Sequence, residues 1–95
     1  MKKSVINQFE KTLRYEFSCW EDMTIERKDT KAWTTFLIED EDNTTMYKAP
    51  IKKAINITES YNLTYGTDDV CFVIETKTCD GGWTKPVIKI LISVG

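Results

Sequence analysis

A chain of 95 residues and 11.0 kDa has room for one domain, residues 1–95. With 41% hydrophobic and 29% charged residues it is not collagen-like, disordered or a coiled coil, and no run approaches the roughly 18 apolar residues that cross a bilayer. A net charge of −2 does not favour the phosphate backbone as partner, and the absence of histidine removes the usual general base and the commonest metal ligand.

Residues 4–19 read as an amphipathic helix. Val5, Phe9, Leu13 and Phe17 recur every four positions, with Ile6 flanking and Trp20 at the end. Ser4 is the expected N-cap, and Glu10 and Arg14 are placed to pair across one turn. Residues 22–28 suit a short strand with Met23 and Ile25 on one face. Residues 31–39 are a stronger strand, rich in β-branched and aromatic residues. Its alternation sets Trp33 and Leu37 on one face and Phe36 and Ile38 on the other, as expected of a central strand. The acidic run after it reads as a loop, with Thr45–Ala49 returning as hairpin partner.

Pro50 suits the first turn of a helix. Residues 51–60 read as helix, with Ile51, Ala54, Ile55 and Thr58 on one face. The alternation of Ile55, Ile57, Tyr61, Leu63 and Tyr65 competes as strand, and 61–65 is assigned to strand or loop. Gly66 with Thr67, Asp68 and Asp69 marks a turn. In the last thirty residues, Val70, Phe72 and Ile74 alternate with Cys71, Val73 and Glu75, and Ile88, Ile90 and Ile92 with Val87, Lys89 and Leu91. A two-residue loop would set Phe72 and Ile74 opposite odd-numbered residues, Lys89 among them. A three-residue loop at 80–82 pairs Phe72 with Ile90 and Ile74 with Ile88 and keeps the apolar face whole, with Gly82 left-handed. Pro86 cannot donate to a ladder, so its strand is an edge there or carries a bulge. The expected fold is α+β: an N-terminal amphipathic helix on a mainly antiparallel sheet of four or five strands, with a second short helix.

Cys19, Cys71 and Cys79 are odd in number and form no C-x-x-C pair, which fits a reduced, cytoplasmic protein without a structural zinc. The first residues carry the cations of a signal peptide but no apolar stretch behind them. Charge is uneven: residues 21–45 carry −5, while 1–20 and 46–66 each carry +2. The acidity centres on Glu39, Asp40, Glu41 and Asp42, with Glu21 and Asp22 nearby in sequence. The run lacks the Gly and Glu of a calcium loop, since Thr45 and Ile51 stand at those positions.

Phe72-Val73-Ile74-Glu75-Thr76-Lys77 resembles the core of the PD-(D/E)xK nucleases. The resemblance implies a metal held by Glu75 with Asp69 or Asp68, and Lys77 facing the scissile phosphate. The motif strand here runs into a Gly-Gly hairpin and not into a helix, as it would in that family. Against it stands a non-catalytic reading with no cofactor and no metal: a small acidic inhibitor that binds another protein, like phage anti-host, anti-defence and toxin-immunity proteins. The expected contact residues are Glu39, Asp40, Glu41 and Asp42, against a basic nuclease or nucleic-acid-binding enzyme, with Trp83 or Trp33 as apolar anchor. A third reading is a structural protein that forms a homodimer through an exposed edge strand.

Overall fold

A computed structural model describes residues 1–41 and 48–94. Two helices and four strands follow in the order α1 (Lys3–Glu16), β1 (Met23–Asp29), β2 (Trp33–Asp40), α2 (Lys48–Tyr65), β3 (Val70–Thr78) and β4 (Thr84–Ser93). The strands form one sheet ordered β1-β2-β4-β3, with every neighbouring pair antiparallel. The fold is α+β, with the N-terminal helix packed on the sheet.

Helix α1 buries Ile6, Phe9 and Leu13, a stripe that repeats every three or four residues and continues to Phe17 just past the helix. Glu10 and Arg14 pair at 3.0 Å as their spacing predicts. Ser4 is not the cap. Lys2 holds that position without a side-chain bond, and its carbonyl accepts the N–H groups of Val5 and Ile6 at 3.0 and 3.1 Å.

Strand β2 is interior, with Phe36 and Ile38 in the core and Trp33 and Leu37 on the opposite face. Its partners are β1 and β4, which corrects the expected hairpin with Thr45–Ala49. Residues 45–47 lie outside the described residues, and Lys48 and Ala49 already belong to α2. That helix is also longer than its sequence suggests, because 61–65 continue it. Its covered positions, Pro50, Ala54, Ile57, Thr58 and Tyr61, follow the helical period, whereas Leu63 is 85% exposed, which rules out the alternating reading. Gly66 ends the helix with φ 59°: the Thr67 N–H reaches the Asn62 carbonyl at 3.0 Å and the Gly66 N–H the Leu63 carbonyl at 3.4 Å. This is the Schellman arrangement, in which a left-handed residue lets the chain satisfy the last carbonyls.

The β3–β4 hairpin has the register that an unbroken apolar face requires, with Phe72 opposite Ile90 and Ile74 opposite Ile88. Gly81 and Gly82 both take positive φ, 93° and 84°, and a 2.7 Å bond from the Cys79 N–H to the Trp83 carbonyl closes the loop. Pro86 pairs with Thr76 beyond the last β2–β4 pair, Ile38 with Ile88, so β4 has a single neighbour there. Ile88, Ile90 and Ile92 join Phe36, Ile38 and Val70 under both helices to form the core. Phe9 is its centre, 5.6 Å from the Phe36 ring and 4.9 Å, edge-on, from Tyr61. The other face of the sheet has no second layer among the described residues.

Candidate functional site

The acidic run is divided by the alternation of the strand that contains it. Glu39 falls on the open face beside Leu37, and Asp40 turns inward with Ile38, 6% exposed. The Glu39 carboxylate is reached by Lys77 at 3.0 Å and by Lys85 at 2.9 Å, and its side chain is only 14% exposed. Lys85 is buried and also donates to the Asp40 carbonyl at 3.0 Å. Burial alone would raise the Glu39 carboxyl, but the hydrogen bonds from Lys85 and Lys77 outweigh it and hold the group below its ordinary range. Lys77 is shifted upward by the same carboxylate. Glu39 and Asp40 are therefore part of the fold's own bonding, not of an outward ridge. Glu41 is exposed, and Asp42 lies outside the described residues.

A different acidic surface forms in their place. The Glu41 N–H donates to the Asp22 carbonyl at 3.0 Å, extending the β1–β2 ladder by one bond. That bond sets Glu21 and Asp22, both exposed, beside Glu41 at one corner of the sheet. The linear sequence separates these groups by a strand, a turn and a second strand, so only the pairing of β1 with β2 reveals the corner.

Trp83 belongs to the same end of the sheet, in the loop that opens β4, and is 48% exposed. A Cβ built on Gly81 would sit 3.3 Å from the indole, so the ring rests over that glycine. Trp33, 41% exposed, begins β2 at the opposite end. Eight residues at about 3.3 Å each put more than about 20 Å between Trp33 and the acidic corner. The structure thus groups Trp83 with the acidic corner and separates Trp33 from it.

The nuclease-like residues are not assembled. Asp69 precedes β3 and binds the Met1 amino group at 3.2 Å. Glu75 lies six positions along the same extended chain, about 20 Å away, and pairs with Lys89 at 3.1 Å. Asp68 is one residue farther, and Lys77 is engaged by Glu39. Among the described residues no group of three or more His, Cys, Asp or Glu comes together to hold a metal ion. The three cysteines are free, with Cys19 and Cys71 exposed. The open face has a shallow groove of about 320 Å³ lined by Glu26, Lys28, Thr35, Leu37, Glu75 and Lys89. Its cations and anions alternate across neighbouring strands, which suits mutual neutralisation better than capture of a charged ligand. Compared with protein-family models, curated proteins and solved structures, the chain has no match.

Proposed function

We propose that this is a small acidic protein-binding inhibitor, of the phage anti-host, anti-defence or toxin-immunity kind. It acts by covering a basic surface of a partner enzyme, such as a nuclease or another nucleic-acid-binding protein. The observation that carries this reading is the convergence of Glu21, Asp22 and Glu41 at the sheet end that also presents Trp83. An exposed acidic corner speeds encounter with a cationic surface, and a half-exposed indole at the same end of the sheet supplies the apolar area that holds the complex once formed. The paired state of Glu39 moves the contact surface from the centre of the acidic run to its exposed margin.

The experiment compares the wild-type chain with the triple charge reversal Glu21→Lys, Asp22→Lys, Glu41→Lys as immobilised baits in lysate of the source cell. The wild type should retain a basic protein that rising salt elutes. The triple variant should lose it, and Trp83→Ala should weaken it with little change in salt response. Retention of the same protein by the triple variant at the same salt would refute the assignment. So would nucleic-acid cleavage by the purified chain that Glu75→Ala abolishes.

A further inference from the structure

The sheet has two free edges, β1 and β3, and they are not alike. Strand β1 carries Glu26, Arg27, Lys28 and Asp29 in succession, the kind of charge that keeps an edge from pairing with another chain. Strand β3 opens with five uncharged residues in a row, Val70 to Ile74. Val73 and Ile74 remain 40% and 47% exposed on its two faces.

The hydrogen bonds show which β3 residues aim their backbone outward. The Asp69 carbonyl accepts from Ser93 and the Cys79 N–H donates to Trp83, so the odd-numbered residues face β4. The even-numbered residues, Val70, Phe72, Ile74, Thr76 and Thr78, therefore point away from the sheet. Val70 is already satisfied, because the Asn62 side chain accepts its N–H at 3.1 Å and donates to its carbonyl at 2.8 Å. Asn62 stops the edge at Val70 and leaves a short ladder of outward groups on Phe72, Ile74, Thr76 and Thr78.

We propose that this edge pairs with the same edge of a second copy. The two β3 strands run antiparallel about a two-fold axis at Ile74 and make one continuous eight-stranded sheet. In that register Phe72 of each copy exchanges both backbone hydrogen bonds with Thr76 of the other, and Ile74 does so with its own counterpart. Three of the four open residues are used, Thr78 falls opposite the Val70 that Asn62 already satisfies, and the register that would use all four sets the two Glu75 side chains against each other. The charges match as well. Lys77 of each copy lies opposite Cys71 and diagonal to Asp69 of the other, on the diagonal that the right-handed twist draws together. Glu75 faces Val73 of the other copy and keeps its own Lys89. Its like-charged counterpart lies on the diagonal that the twist opens. The contact covers the exposed side chains of Val73 and Ile74.

The test is the mass in solution by sedimentation equilibrium from micromolar to millimolar concentration. The mass should rise from 11.0 kDa to twice that value. Ile74→Pro removes only an outward N–H, so the hairpin with β4 keeps its bonds and the chain should be folded and monomeric throughout. Ile74→Lys, which leaves the backbone untouched, should weaken association at least tenfold by placing two ammonium groups on the axis. With the native cysteines changed to serine, Ile74→Cys should oxidise to a linked dimer, because directly opposed strand residues are within disulfide reach. A mass of 11.0 kDa at millimolar concentration would overturn the proposal. So would dimers that persist in Ile74→Lys, and so would a dimer whose Ile74→Cys form does not cross-link.

Discussion

The Glu39 cluster makes a quantitative prediction, because one carboxylate serves two lysines in different surroundings. Lys85 is 10% exposed at its side chain and Lys77 is 48% exposed. Replacing Glu39 by alanine leaves the Lys85 ammonium nearly enclosed, with the Asp40 carbonyl at 3.0 Å as its other bond. Removing one member of a fully buried pair costs about 3–5 kcal/mol, and the carbonyl still available to Lys85 reduces this to about 2–3 kcal/mol. Lys77→Ala removes only an exposed, solvent-screened arm of the pair. At about 1 kcal/mol per molar urea, Glu39→Ala should lower the midpoint by about 2 M and Lys77→Ala by clearly less. The three tryptophans give the fluorescence signal. The double change Glu39→Leu with Lys85→Met should recover most of the loss, because it leaves no buried charge unpaired. Equal shifts for Glu39→Ala and Lys77→Ala, or a double variant as unstable as the single one, would refute the reasoning.

Acid should act on the same group. The Glu39 carboxyl lies below its usual 4.5 in the folded chain, because the lysine hydrogen bonds outweigh burial. A carboxyl depressed by folding stabilises above its unfolded value, and that contribution is lost as pH falls through the folded one. Below 4.5 the wild type should therefore lose stability more steeply than Glu39→Gln in parallel urea titrations. Phe9→Ala, at the centre of the core and 0% exposed, should cost about 3–5 kcal/mol by the same titration. Gly66→Ala meets no atom within 4 Å but must adopt φ 59°, so thermal unfolding should show a loss of about 1 kcal/mol. Thr58→Val removes a buried hydroxyl without a hydrogen-bond partner among the described residues and should raise the melting temperature, by about 1 kcal/mol of stability.

What could be read from the sequence was what a local period determines. Phe9 and Leu13 announce α1, and Phe72 with Ile74 fixes the hairpin register because a slip of one residue would turn Lys89 into the core. Helix α2 was legible only in part. Ile55, Ile57, Tyr61, Leu63 and Tyr65 alternate as well as any strand, and the helix is decided by a stripe through Ala54, Ile57 and Tyr61 that docks on the sheet. Tertiary burial overrides local pattern there. The acidic run misleads for the opposite reason. Composition marks four acids together, but the strand continues into them, so alternation assigns Glu39 to a lysine pair and Asp40 to the interior. The strand boundary, not the charge count, decides which acids face outward.

The same alternation explains how a two-layer domain leaves one sheet face in water and where that solution stops. On the open face, Lys85 and Lys77 converge on Glu39, and Lys89 reaches Glu75. Val87 lies between Lys85 and Lys89 on that face and is 2% exposed, with no second layer above it among the described residues, as aliphatic lysine stems lying over a flanked apolar residue would leave it. Long side chains from β4 thus do the work of a covering element, and their heads hold one another in place. The cover needs a lysine or glutamate at alternate positions, and β3 supplies these only at Glu75 and Lys77. Upstream, Cys71 and Val73 offer neither stem nor charge, and the Asn62 side chain protects the backbone only at Val70. The uncovered stretch between those two guards, Cys71 to Ile74, is short and uncharged. A second copy of the strand matches it in length and bonding pattern, whereas the charged succession on β1 offers such a strand no comparable row.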